Sequence, residues 1–287
     1  MNFPNSSTVS SLLIQATEIL SSFQIPTPRL DAEVLLAAVR NTDRKGIYLS
    51  LYSLVSEEEK NRLHALISRR IKGEPVAYLV GKKEFWSLNL KVTPAVMIPR
   101  PETETLVEAA LPISSFSPFI LELGTGSGAI AIALAKESPQ ALIIATDISI
   151  AALRVAKENA FSHRINSIRF IAGDLFSPFK LEKVMFDLII TNPPYIPSSQ
   201  ISQLPAGIRD YEPRIAFDGG EDGLAVHRKI IQEAPCYLKV GGYLLLEVGE
   251  GQSKEVAKII SATPKFSSPE IIKDLAGLER VVKACRI

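Results

Sequence analysis

The run Asn192-Pro193-Pro194-Tyr195 carries the most pointed chemistry in this chain, and it follows the apolar stretch Phe186-Asp187-Leu188-Ile189-Ile190. That stretch has the pattern of a buried strand. Two adjacent prolines, lacking backbone N–H groups, cannot continue it. The strand must therefore stop and turn at Asn192. In an open α/β sheet, ligands bind beyond the carboxyl ends of the strands. An asparagine there offers a side-chain carbonyl acceptor and an amide donor, and Pro193 keeps its backbone carbonyl. Two acceptors side by side can hold both N–H bonds of one planar NH2 group, as alkylation of an amide or amino nitrogen requires. Tyr195 stands as a candidate wall over that group, its ring face favouring a nearby cation by roughly 0.5–2 kcal/mol.

A second constellation lies upstream, in Leu121-Glu122-Leu123-Gly124-Thr125-Gly126-Ser127-Gly128. It reads as a strand running into a helix through a turn whose glycines let a ligand approach the backbone. A tight turn without a ligand has the same composition. Asp147, at the end of the next strand pattern, is placed to accept the hydrogen bonds of a ribose diol, or to cap a helix starting near Ile148. Asp174 is an acceptor candidate at an adenine edge, with Leu175 and Phe176 against the ring or in the core. A nicotinamide dinucleotide and S-adenosylmethionine compete for this site. The spacing Gly124-x-Gly126-x-Gly128 lacks the ending of a dinucleotide fingerprint, and Glu122 repels a pyrophosphate but suits a cationic amino group. Hydride transfer has no use for an Asn-Pro-Pro-Tyr turn, so S-adenosylmethionine is the expected cofactor.

The elements that must position these loops follow from periodicity. From Phe119 onward strands are expected at 119–123, 141–146, 168–172, 186–191 and 242–248, and helices at 127–137, 149–160, 222–236 and 252–262. Such alternation predicts a parallel, doubly wound sheet. Two late strand-like runs, near 268–273 and 279–286, predict a terminal antiparallel pair. From about Ser7 to Gly73 the pattern is helical. Val9, Leu12, Leu13, Ala16 and Leu20 mark one buried stripe, and Val34, Leu35, Ala38 and Val39 a second. Ser56 followed by Glu57, Glu58 and Glu59 is a helix start; that helix runs through Leu63, Leu66 and Ile67 to a stop at Gly73 and Pro75. Leu88, Leu90 and Val92 alternate with polar residues as in a hairpin strand, and a helix is expected over 102–111. The domain boundaries expected are 1–80 for a helical domain, 81–100 for a β-hairpin linker and 101–287 for the sheet domain.

Composition excludes several classes. With 46% hydrophobic residues in 287, the chain can bury a sizeable core. A net charge of +1 gives no sign of a dedicated nucleic-acid binder. Cys236 and Cys285 form no disulfide framework and no metal-ligand spacing, which points to a reducing, cytoplasmic setting and no metal. The amphipathic first helix is not a signal peptide, and no apolar run suits a membrane span. His64, His163 and His227 share no spacing with acids or cysteines and read as surface or packing residues. Arg69, Arg70 and Lys72 form a cationic cluster, read as a solvated face or a docking patch.

With these residues assembled, the chain resembles the bacterial HemK/PrmC family over nearly its whole length. The resemblance lies in Gly73-Glu74-Pro75-Val76-Ala77-Tyr78, Pro99-Arg100-Pro101-Glu102-Thr103-Glu104, Gly124 through Gly128, Asn192 through Tyr195, Tyr211-Glu212-Pro213, Gly219 through Leu224, Leu246-Glu247-Val248-Gly249 and Asp274 through Gly277. It implies a Rossmann-like class I methyltransferase sheet, with a small N-terminal helical-bundle domain joined by a β-hairpin. It implies methyl transfer from S-adenosylmethionine to the side-chain amide nitrogen of the glutamine in the Gly-Gly-Gln motif of peptide chain release factors. Cofactor contacts carry over to Gly124, Thr125, Gly126, Ser127, Gly128, Asp147, Leu175 and Asn192. Substrate contacts carry over to Asn192, Pro193, Pro194 and Tyr195, with Asn192, Pro193 and Tyr195 expected to act in catalysis. Arg100, Glu102 and Glu104 are candidate wall residues. Two alternatives stand: a DNA adenine-N6 methyltransferase, and a non-catalytic module on the same fold.

Overall fold

The computed structural model describes residues 8–113, 118–179 and 185–287; Ser7, at the expected start of the helical region, lies outside them. The chain divides into two compact units, one formed by residues up to Lys82 together with Pro205–Tyr211, the other by Lys83–Leu204 and Glu212–Ile287.

The first unit is helical: α1 (Val9–Ser22), α2 (Pro28–Val39), α3 (Arg44–Leu49), α4 (Glu57–Arg70) and α5 (Val76–Val80). In α1 the expected stripe of Val9, Leu12, Leu13, Ala16 and Leu20 is the buried face. In α2 the buried stripe is Ala32, Leu35, Leu36 and Val39, whereas Val34 and Ala38 are only half-buried. The stripe is rotated from the expected one because two acids share the buried side. Asp31 is held by Arg70 at 2.7 Å, and Glu33 by Arg29 at 2.8 Å and Arg44 at 2.6 Å. Neutralised in this way, charged positions occupy sites that hydrophobicity alone assigns to apolar residues. Helix α4 begins with a full capping box between Ser56 and Glu59. The cationic cluster is largely committed within this unit, Arg70 to Asp31 and Arg69 to Glu74.

The second unit opens with a hairpin, β1 (Lys82–Phe85) and β2 (Leu88–Lys91). Trp86 and Ser87 turn it with φ of 52° and 56°, the left-handed pair a two-residue hairpin loop requires. Helix α6 (Glu104–Ala110) leads to the sheet. Its elements are β3 (Phe119–Leu123), α7 (Ala129–Glu137), β4 (Leu142–Asp147), α8 (Ile150–Ser162), β5 (Ile168–Ala172), β6 (Phe186–Thr191), α9 (Ala206–Arg209, in the segment that belongs to the first unit), α10 (Ala225–Glu233), β7 (Leu238–Glu247), α11 (Ser253–Ser261), β8 (Glu270–Lys273) and β9 (Glu279–Cys285).

The strands form one seven-stranded sheet in the order β5-β4-β3-β6-β7-β9-β8. The five from β5 to β7 are parallel, while β9 runs antiparallel to both β7 and β8. Both faces of the central strands are buried. Ile120, Leu188, Ile190 and Leu245 pack with α6 and α7 on one side, and Leu121, Ile189, Leu244 and Leu246 pack with α10 and α11 on the other. That double burial is why these strands are nearly continuous apolar runs. Strand order reverses between β3 and β6, so a crevice opens there at the carboxyl ends.

Candidate active site

Register assembles the site. Leu123 stands opposite Thr146 on one side and Thr191 on the other, and Thr191 stands opposite Leu246. One residue further along, Asp147, Gly124, Asn192 and Glu247 therefore sit side by side along the rim of four adjacent strands. The crevice above them is a cavity of about 260 Å³, lined by Glu122 through Ser127, Asp147, Asp174, Leu175, Asn192, Pro193 and Pro194 among others.

Gly124, Gly126 and Gly128 have φ of 70°, 55° and 82°, backbone that L side chains rarely adopt. Their surroundings differ. A Cβ on Gly124 or Gly126 would meet no atom within 4 Å, so these two leave room for a ligand against the backbone. A Cβ on Gly128 would lie 3.0 Å from Ile132 Cδ1 and 3.1 Å from Ala156 Cβ, so this glycine serves the packing of α7 on α8. The loop is pinned from three directions. Thr125 N–H donates to the Thr146 carbonyl at 2.8 Å, Gly126 N–H to Asp147 Oδ2 at 2.8 Å, and buried Asn159 donates to the Ser127 carbonyl at 2.9 Å.

Asp147 does not cap α8. Ser149 does, accepting from Ala152 N–H, while the second Asp147 oxygen accepts Ser149 N–H at 2.8 Å. Each carboxylate oxygen thus keeps a free lone pair beside the cavity. Leu175 lines the cavity with φ 47°, an uncommon conformation for leucine. Phe176 turns away into the core and stacks on Tyr237 at 4.7 Å.

Glu122 is 1% exposed. Its Oε2 accepts the Thr125 hydroxyl at 2.6 Å, and its Oε1 is buried without a partner. Burial pushes this carboxyl up to about 8; Thr125 and the Ala131 N–H pull it down, and the Asp147 charge adds to the rise. Burial also raises Asp147. Among the described residues, the cavity lining includes Glu122, Asp147, Asp174 and Asp218 but no Lys, Arg or His. Such a lining opposes a pyrophosphate and welcomes a cation. The orphaned Glu122 oxygen is suited to an ammonium group and the Asp147 lone pairs to a diol, so S-adenosylmethionine fits these residues and a dinucleotide does not.

Asn192 is half-buried, and its Nδ2 donates to Thr103 Oγ1 at 3.2 Å. Pro193 and Pro194 line the cavity beside it, but Tyr195 does not. Past the prolines the chain turns, and the Tyr195 carbonyl accepts Gln252 Nε2 at 2.9 Å. Burial pushes the Tyr195 hydroxyl up to about 12, in a setting shared with Glu247, Arg280, Arg100 and Glu102. Of the Pro99–Glu104 stretch, Pro99 and Thr103 line the cavity. Arg100 instead pairs with buried Glu212 at 2.5 Å, and Glu104 accepts Trp86 N–H at 2.7 Å. His227 is a buried packing residue whose Nε2 meets the Glu247 carbonyl at 2.9 Å, and His163 meets the Asn89 carbonyl at 2.9 Å.

Sequence reasoning missed Met97, Thr103, Ile215 and Ala216 in the lining, and Glu247 on the rim behind Asn192. One signal was present for Glu247. It closes the apolar run Leu244-Leu245-Leu246, just as Glu122 interrupts Leu121 and Leu123.

A doubly wound sheet of this strand order, with a cation-seeking crevice and an Asn-Pro-Pro rim, defines a class I methyltransferase. Solved structures of 18% identity share the fold. A methyltransferase from Pyrococcus furiosus matches with a TM-score of 0.53 over 76% of this chain and 96% of its own. A T. thermophilus 16S rRNA methyltransferase in complex with AdoMet and guanosine matches with a TM-score of 0.53 over 72% and 50%. Residues 11–81 match the PrmC N-terminal domain and residues 102–204 the methyltransferase small domain. The release factor glutamine methyltransferase of Coxiella burnetii is 44% identical over 91% of this chain and 92% of its own length. Those of Moorella thermoacetica and Geobacter sulfurreducens are 40% identical over 97% and 99%, and 39% identical over 96% and 95%. The chain belongs to the release factor glutamine methyltransferase family.

Proposed function

We propose that this enzyme methylates the side-chain amide nitrogen of the glutamine in the Gly-Gly-Gln motif of peptide chain release factors, with S-adenosylmethionine as donor. The observation that carries the mechanism is the commitment of Asn192 Nδ2 to Thr103, which leaves Oδ1 as a free acceptor in the cavity that Pro193 also lines. Gly124 through Gly128, Asp147 and Leu175 are the residues to hold the cofactor, with Glu122 facing its amino group. Bound there, it supplies a methyl group on a positively charged sulfur.

The neutral amide nitrogen is a poor nucleophile, because its lone pair is delocalised into the carbonyl. Asn192 Oδ1 and the Pro193 carbonyl accept one N–H each, which fixes the NH2 group and turns its lone pair toward the crevice. Holding the reacting atoms in line can remove up to roughly 7–11 kcal/mol of barrier. The same two acceptors stabilise positive charge growing on nitrogen. The alkylated amide then loses its proton to water, without a strong base.

In this reading the helical region 1–80 binds the release factor, 81–100 is the linker and 101–287 the catalytic domain. The working compartment is the cytoplasm, with neither nucleic acid nor membrane as a partner. Among the described residues no helix is long and apolar enough to cross a membrane.

The test is methyl transfer to purified release factor, with its Gln→Ala variant as control. Asn192→Ala is expected to abolish turnover while the dissociation constant for S-adenosylmethionine changes little. Near-normal turnover in that variant would remove Asn192 from the mechanism.

A further inference from the structure

An asparagine serves as an acceptor for substrate only if its amide cannot flip, since the flipped form presents NH2 to NH2. Two groups behind Asn192 determine its orientation. Register places Glu247 beside it at the end of β7. Thr103 comes from the turn before α6, with its hydroxyl 3.2 Å from Asn192 Nδ2. The Thr103 hydroxyl and the Asn192 amide both face the Glu247 carboxyl closely enough to favour its ionised form. An ionised carboxylate only accepts. It therefore draws the Asn192 NH2 toward itself and repels Oδ1, and the Thr103 hydroxyl, once donating to Glu247, has lone pairs to accept the same NH2. Glu247 is 2% exposed, and its Oε2 is buried without a partner, so no solvent screens this preference.

We propose that Glu247 and Thr103 are positioning residues that lock the Asn192 carboxamide with its oxygen toward substrate, and that protonating Glu247 unlocks it. The lock rests on Asn192 being the substrate's acceptor. A neutral Glu247 can donate its own proton to Asn192 Oδ1, so the flipped amide is no longer opposed. Burial pushes the Glu247 carboxyl up to about 7, with Thr103, Arg280 and Asn192 opposing the rise and Glu102 adding to it. The other groups facing this corner are Tyr195, held above the neutral range, and His227, whose pKa burial lowers. Glu247 is thus the carboxyl whose ionisation falls in the neutral window here. Turnover should fall as pH drops through that value.

The experiment measures kcat for release factor methylation from pH 6 to pH 8 at saturating S-adenosylmethionine, alongside cofactor affinity by calorimetry. Saturation keeps the two other raised carboxyls of the crevice, Glu122 and Asp147, engaged with the cofactor, so their titration appears in affinity and not in kcat. In the native enzyme kcat should drop about tenfold from pH 8 to pH 6, as a single ionisation near 7 requires. Glu247→Gln can orient its amide either way, so it should flatten the profile and lower kcat at pH 8 by about tenfold, the weight of one hydrogen bond. Thr103→Val should lower kcat by a similar factor, and Thr103→Ser should recover most of the loss. Cofactor affinity should stay within about threefold in all three variants, which separates the lock from a loss of folding.

If Glu247→Gln keeps the native profile and rate, the lock is wrong. If rate and cofactor affinity fall together, the role is structural and the lock is again wrong. Asn192→Ala separates the two ideas: an active Asn192→Ala sinks the reading of Asn192 itself, whereas an inactive one beside a native-like Glu247→Gln sinks only the lock.

Discussion

Replacing Glu122 by glutamine should make the cofactor-free protein more stable at alkaline pH while weakening its hold on the cofactor. The carboxyl is almost wholly buried, holds one hydroxyl hydrogen bond and leaves Oε1 without a partner. It titrates near 8 in the folded chain against 4.5 for an unburied glutamate. Between those values the folded state binds a proton that the unfolded state has released, so stability falls as pH rises through this window and the loss is complete above 8. The difference corresponds to roughly 4–5 kcal/mol at pH 9. In Glu122→Gln the new side chain keeps an oxygen for Thr125 and carries no charge, so this slope disappears. Denaturation of the cofactor-free proteins should give nearly equal stabilities at pH 5 and a variant more stable by several kcal/mol at pH 9, or about 10 °C in Tm. Glu247 contributes a similar slope to both proteins and cancels in the difference. Calorimetry at pH 8 should show cofactor binding weaker by about 10- to 100-fold in the variant, the value of a hydrogen bond to a charged group. If the variant is less stable than the native chain at pH 9, or the two curves run parallel, burial is not what raises this carboxyl. The reasoning about a cation-seeking crevice then fails with it.

Asp147→Asn retains one acceptor but turns an NH2 toward the N–H of Gly126 or Ser149. Cofactor affinity should fall about 10- to 100-fold by calorimetry, with kcat at saturating cofactor reduced only a few-fold. The two ends of the glycine loop should respond differently to alanine. Gly128→Ala meets Ile132 and Ala156 at close range and should destabilise the fold by about 1–3 kcal/mol in urea titration. Gly124→Ala meets nothing, so it should cost about 1 kcal/mol in stability, with its main effect on cofactor affinity.

Much of the sheet was legible because its strands are short apolar runs bounded by turn residues. The strands at 119–123, 168–172 and 186–191 end where the pattern placed them. β7 begins at Leu238 and not at 242, because the pairing with β6 shifts register and Gly241 takes φ 80° there. A glycine pair reads as a boundary whether it ends a strand or bulges it. Helix α10 is shorter than the 222–236 expected: Asp222 lies outside it, and Pro235 belongs to a separate tight turn of helix after Glu233. Helices α3 and α5 have only six and five residues, too few to establish a period, and Asp43 capping Gly46 N–H is the local signal that α3 offers.

The site divides along a physical line. Asn192, the glycine loop and Asp147 were readable because each is a turn residue at a strand end, and in a parallel sheet strand ends are where ligands sit. Thr103 and Glu247 lie far from Asn192 along the chain, Thr103 by 89 positions, and only the fold brings them behind it. Periodicity assigns residues to faces of an element but not to neighbours across elements. A polar residue that closes an apolar strand in such a sheet is therefore informative only in combination: Glu122, Asp147, Asn192 and Glu247 each look like a lone acid or amide until the register shows them converging on one crevice. In and just behind that crevice their desolvation is a common cause: it raises Glu122, Asp147 and Glu247 together. A bound cation relieves the first of these carboxylates, while the Asn192 amide, held by Thr103, favours the ionised form of the last.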